Sequence, residues 1–137
     1  MRNTLRYIAI LLFLIYLVLV GLICFGNPEG YPSIEFSFYG IPGDKLVHFL
    51  LFTPYPILVF MIFSGNQRSF LREFAYISAI FISGAAIAIG TETVQGMTEY
   101  RSFEKMDLVA DIAGLLFSSS LVFGYILIHK TKNRNEE

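Results

Sequence analysis

Glu92–Asp111, read as ETVQGMTEYRSFEKMDLVAD, sets ionisable groups where two apolar runs meet. Glu92 and Gln95 close one run, Arg101 and Lys105 lie in the turn, and Asp107 and Asp111 open the next. A carboxylate at the centre of a membrane helix costs about 3 kcal/mol on insertion scales, and such groups persist where they face protein or water and have partners. Two consecutive spans with a polar cluster at their shared end are therefore the expectation. That cluster is the first candidate for a functional site.

The rest of the composition agrees. With 137 residues, 55% of them hydrophobic and 15% charged, and no Trp, a mean hydropathy of +0.60 is too apolar for a soluble domain of this size. The chain reads as a small all-α integral membrane protein. A net charge of -1 gives no basic field for nucleic acid, which is excluded as a partner; membrane lipids are the expected one. The single Cys24 lies in an apolar run and is read as a packing residue.

Arg2 and Arg6 precede an apolar run over 7–25, which at roughly 1.5 Å per residue matches a hydrocarbon core of about 30 Å. Leu22 and Ile23 before Cys24 suit neither a small-x-small cleavage site nor lipid attachment, so a retained first helix is expected, with Tyr16 its one polar group and much lipid contact. Asn27–Gly43 is rich in Gly and Pro around the alternating run IEFSFY, and reads as a loop with an extended piece at the interface. A second span is expected over 44–63, kinked at Pro54 and Pro56, with Asp44 and His48 on one face near its start. Ser64–Arg72 reads as a polar turn. The third span, 73–95, carries Ser78, Ala79, Ser83, Gly84, Ala85, Ala86, Ala88 and Gly90, and close approach through small residues predicts it to be the central helix. In the fourth, 106–129, Asp107, Asp111, Gly114 and Ser118 share one face.

Orientation follows from Lys and Arg in short loops. Arg2, Arg6, Arg68, Arg72, Lys130, Lys132 and Arg134 fall on one side of an alternating four-helix antiparallel bundle, against Lys45, Arg101 and Lys105 on the other. The imbalance predicts both termini in the cytoplasm and a multi-pass plasma-membrane protein. The cluster at 92–111 then faces outward, as do Asp44 and His48.

Each candidate has a bland alternative. Asp44 and Asp107 open helices, where free N–H groups and the dipole favour a carboxylate by about 0.3–1 kcal/mol, so capping alone would explain them. Glu92 closes a helix, where an anion is disfavoured, and needs a cation from Lys45, His48, Arg101 or Lys105. Asp111 lies about 6 Å deeper than Asp107 by helical rise, too deep for a surface cap. A lone His48 would more often be structural, but in company with acidic groups, an Arg and a Gln it suits acid/base work or the hold on an anionic headgroup. No metal is assigned, because neither His-x-x-x-His nor Glu-x-x-His spacing is present, and no cofactor is expected.

In order along the chain, DKLVHFLLF, then ETVQ, then an Arg, then D-x-x-x-D-x-x-G resembles the VanZ-like family of small bacterial membrane proteins, named for an accessory protein of glycopeptide resistance associated with teicoplanin. The resemblance covers roughly 44–124. Its acidic-Lys-x-x-His-Phe motif falls on Asp44, Lys45, His48 and Phe49, its Glu-x-x-Gln on Glu92 and Gln95, its loop Arg on Arg101, and its Asp-x-x-x-Asn-x-x-Gly on Asp107, Asp111 and Gly114. Asp111 stands where the family more usually has Asn, and Ser118 where a second Gly is common. The resemblance implies a role in the cell envelope, linked to antibiotic resistance, and no established reaction.

Two functions follow as expectations. In the first, Asp44, Lys45, His48, Glu92, Gln95, Arg101, Asp107 and Asp111 bind an envelope ligand: a lipid headgroup, a lipid-linked wall precursor or a glycopeptide. In the second, the protein is a membrane-interface hydrolase or transferase, with catalytic candidates His48, Glu92 and Asp111 and with Arg101 holding an anion. Oligomeric state is not set by the sequence.

Overall fold

A computed structural model of the protein describes residues 2–26, 37–63, 69–99 and 101–135. The apolar runs are helices: α1 (Arg2–Phe25), α2 (Gly43–Phe52), α3 (Pro54–Phe63), α4 (Phe70–Gln95) and α5 (Lys105–Asn135), with strands β1 (Ser37–Phe38) and β2 (Ile41–Pro42) before α2. Asn3–Phe25, Gly43–Phe63, Phe70–Gln95 and Lys105–Lys130 are each long and apolar enough to cross a membrane. The fold is therefore that of a multi-pass membrane protein.

The second span divides at Thr53, as its prolines predict. Pro54 and Pro56 have no N–H to donate, while Thr53 keeps helical geometry and gives both its N–H (3.2 Å) and its Oγ1 (2.8 Å) to the Phe49 carbonyl. Part of the extended run predicted at IEFSFY falls outside the described residues; Ser37 and Phe38 pair antiparallel with Pro42 and Ile41. Tyr39 and Gly40 make the turn with φ of 51° and 83°, the left-handed pair of a tight hairpin that delivers the chain into α2. Of the turn expected at Ser64–Arg72, residues 64–68 lie outside the described set, and Phe70–Arg72 already belong to α4.

Contacts place the C-terminal ends of α1 and α4 beside the N-terminal ends of α2 and α5. Gln95 of α4 reaches the Cys24 carbonyl of α1, and His48 of α2 reaches Asp111 of α5. At the other end, rings of Phe70 and Phe74 meet Phe123, and Phe60 meets Tyr125. Between them lies a core that includes Phe52, Tyr55, Ile80, Ala88, Leu115 and Val122. In α1 the buried residues Ala9, Tyr16, Val20 and Cys24 recur every four or seven positions, and Leu11, Leu14, Val18 and Leu22 are exposed. One stripe thus faces protein and the rest is free to face lipid.

α4, expected as the central helix, packs against α1, α3 and α5 and so meets each of the other spans, while α5 packs against α2, α3 and α4. Small residues permit close approach without dictating where it occurs. On α4, Gly84 and Ala88 are buried while Ala79, Ala86 and Gly90 are exposed. A Cβ on Gly84 would lie 2.6 Å from Leu115 Cδ2 and 3.0 Å from Tyr55 Cδ1, so this glycine seats α4 on α5 and α3. On α5, Gly114 lies against the backbone of α2: a Cβ there would run into the Phe49 carbonyl and come within 3.2 Å of Thr53 Oγ1. That approach is what draws His48, beside Phe49, onto Asp111.

Gly114→Ala should therefore destabilise the bundle by about 1–3 kcal/mol, the usual effect of overpacking. Gly124→Ala on the same helix, with open space around its Cβ, should be neutral or gain up to about 1 kcal/mol from helix propensity. Unfolding of the two variants in detergent micelles reads the contrast.

Candidate functional site

The first two turns of α2 carry Asp44, Lys45 and His48 into the ends of α4 and α5. Lys45 binds Asp44 Oδ2 at 2.8 Å and also pairs with Glu104 Oε2 and Asp107 Oδ1. One ammonium thus ties the turn before α5 and the first turn of α5 to the start of α2. Its side chain is 14% exposed, as is that of Asp107, whereas those of Asp44 and Glu104 are half exposed. Exposed pairs of this kind contribute little to stability, so the Lys45–Asp107 link matters most of the three.

Deeper in, His48 is ringed by carboxylates. Its Nδ1 lies 2.9 Å from Asp111 Oδ1 and 3.7 Å from Glu92 Oε1, and its Nε2 lies 3.6 Å from Asp107 Oδ2. An ionised carboxylate only accepts, so Nδ1–H donates to Asp111, which fixes the ring's orientation and leaves Nε2 towards Asp107. Glu92 and Asp111 are fully buried and His48 nearly so. Glu92 Oε2 accepts a weak bond from the Glu104 N–H at 3.4 Å. Glu92 Oε1 and Asp111 Oδ2 are buried without a hydrogen-bond partner. Buried polar groups are nearly always satisfied, so such atoms call for an explanation.

The candidates from the sequence separate into groups. Lys45, His48, Glu92, Asp107 and Asp111 come together, and Asp44 joins them at the exposed edge through Lys45. Gln95 goes elsewhere: its Nε2 donates to the Cys24 carbonyl at 2.9 Å, a buried tie between α4 and α1. Arg101 is half-buried, its Nε lacks a hydrogen-bond partner, and among the described residues no carboxylate lies within ion-pair distance of it. Among the described residues the basic group beside Glu92 at its helix end is thus His48, at 3.7 Å, and neither Arg101 nor Lys105. Asp44, half exposed in the first turn of α2, fits the bland explanation best. Ser118 Oγ donates to the Gly114 carbonyl at 3.0 Å, a backbone role.

Glu104 is a participant that sequence reasoning passed over. The signal was present, since it stands three residues before Asp107 at the entry to a helix and its carbonyl accepts the N–H groups of Asp107 and Leu108. Around His48 the acidic groups Glu92, Asp107 and Asp111 outnumber the cations Lys45 and, when protonated, His48 itself. The arrangement can orient an imidazole for proton transfer and attract positive charge, while Arg101 offers donors to an anion. Compared with family models, with curated proteins and with solved structures, the chain has no match.

Proposed function

We propose that the chain is a VanZ-like protein of the bacterial plasma membrane, with both termini cytoplasmic, that binds an envelope ligand at an outward polar centre. The ligand carries an anionic group: a lipid headgroup, a lipid-linked wall precursor or a glycopeptide. Arg101 carries this reading. Its guanidinium is half-buried with an unsatisfied Nε, and the acidic groups that would have claimed it as a counter-charge are turned to Lys45 and His48 instead. A guanidinium held part-way out of water, with its Nε unsatisfied and no carboxylate partner among the described residues, favours an incoming phosphate or carboxylate, which it can bind bidentately. The outward placement rests on the excess of Lys and Arg at the opposite helix ends.

A second reading is favoured by one observation. The 2.9 Å bond from His48 Nδ1 to Asp111 is the arrangement that prepares an imidazole for general-base work, and it would make the protein an interfacial hydrolase or transferase. In that reading Glu92 assists His48 and Arg101 holds the anion.

Two experiments test the proposal. Arg101→Lys keeps the charge, so yield and folding should match the parent, while copurification of anionic lipid should fall about tenfold or more because the planar fork is lost; equal retention by the Lys variant would make Arg101 a mere counter-charge. For orientation, single cysteines in a Cys24→Ala background should be reached by an impermeant reagent at Ser102 and protected at Asn133 in intact cells. The opposite labelling would turn the polar centre to the cytoplasm and remove any envelope ligand.

A further inference from the structure

We propose that His48, Glu92 and Asp107 hold a divalent transition-metal ion of the zinc or manganese class, with Asp111 as the positioning partner of His48. One nitrogen of His48 and one oxygen each of Glu92 and Asp107 lie within 4.8 Å of one another. The pair for which the donor atoms are known, His48 Nε2 and Asp107 Oδ2, is 3.6 Å apart. Adjacent ligands of an ion bound at about 2.0–2.2 Å stand roughly 3–3.5 Å apart, so the His48–Asp107 pair is already close to that spacing, and Glu92, whose Oε1 lies 3.7 Å from His48 Nδ1, completes the set by side-chain rotation.

Proximity of acidic groups alone would carry nothing. What points to a ligand is Glu92: the residue is 0% exposed, and its Oε1, 3.7 Å from Nδ1 of His48, has no hydrogen-bond partner. A carboxylate oxygen so placed needs a cation beside it. The surroundings match those of a metal ligand set as well. Asp111 accepts from Nδ1 at 2.9 Å, leaving Nε2 as the ligating nitrogen, the carboxylate–histidine–metal relay that orients imidazole ligands. Lys45 takes Oδ1 of Asp107 and leaves Oδ2 to face the histidine.

The donor set also selects the ion. One imidazole and two carboxylates suit zinc or manganese, whereas magnesium and calcium prefer oxygen alone. Three protein ligands leave at least one position open to water or to an anionic oxygen. A second acidic group, Asp44, Glu104 and Asp107, is no rival, because the Lys45 ammonium already sits among those carboxylates. The ion follows from the cluster's geometry; its use in gripping an anionic group together with Arg101 rests on the envelope-ligand reading above.

The test uses the full-length protein in detergent, stripped with a chelator and titrated calorimetrically with zinc, manganese or magnesium, with bound metal counted by elemental analysis. One zinc or manganese ion per chain is expected, with magnesium far weaker. Affinity should fall about 100-fold or more in Glu92→Gln and about 10–100-fold in Asp111→Asn, and stay unchanged in Glu99→Gln, at an exposed position. The stripped parent should also gain thermal stability on adding the ion, a readout that needs no variant. Absence of stoichiometric uptake by the parent, or parental affinity in a folded Glu92→Gln protein, overturns the site. Anionic lipid retained by stripped protein that takes up no ion overturns the ion and leaves the envelope-ligand reading standing. Ion uptake by a protein that retains no anionic lipid supports the ion and removes that reading.

Discussion

The buried hydrogen bond between His48 of α2 and Asp111 of α5 is the contact on which the polar centre depends. Apolar helices in lipid have no hydrophobic reason to choose one another, so position is decided by close packing and by the few polar groups that must be satisfied. Gly114 supplies the packing half, because only a residue without Cβ lets α5 lie against the Phe49 carbonyl. His48, next in the chain to Phe49, then meets Asp111, one turn before Gly114. Glycine and ion pair act together: remove either and the helices lose the reason for that register.

Around this contact the charges divide into two layers. At the edge, Lys45 gathers Asp44, Glu104 and Asp107, binding the start of α2 to the turn that leads into α5. One turn deeper, His48 faces Glu92, Asp107 and Asp111 with no Lys or Arg among its ion-pair partners. Desolvating that many acidic groups around one imidazole is unfavourable unless further positive charge arrives. Ionisable groups held at such a place in a membrane protein mark it as the candidate functional site. Arg101 stands apart from both layers, with no carboxylate within ion-pair distance among the described residues.

Much of this was legible beforehand. Length and hydropathy gave the four spans, Pro54 and Pro56 gave the division of the second, and a carboxylate at the wrong end of a helix marked Glu92 as needing a cation. The wide lipid-facing surface of α1 was expected from its apolar run, and Tyr16 within that run lies on the buried stripe. α4, marked by its small residues, meets every other span, although half of those residues face outward. Two things escaped for physical reasons. Gln95 shares a motif with Glu92 but lies three residues on, and that turn of the helix points its amide at Cys24 of α1. A metal set assembled from α2, α4 and α5 has no spacing signature, because ligand-spacing rules read only ligands that share one helix or loop.

The central claim, that His48 and Asp111 hold α2 to α5 through one buried polar contact, is tested most directly by a double-mutant cycle. His48→Ala, Asp111→Ala and the double variant are unfolded reversibly in mixed micelles at neutral pH. If the contact exists as described, the two substitutions couple by at least about 1 kcal/mol, with the double variant less damaged than the sum of the singles, since each single leaves a buried group without its partner. Additivity within about 0.3 kcal/mol would mean that the two side chains do not meet, and the polar centre built on them would not exist.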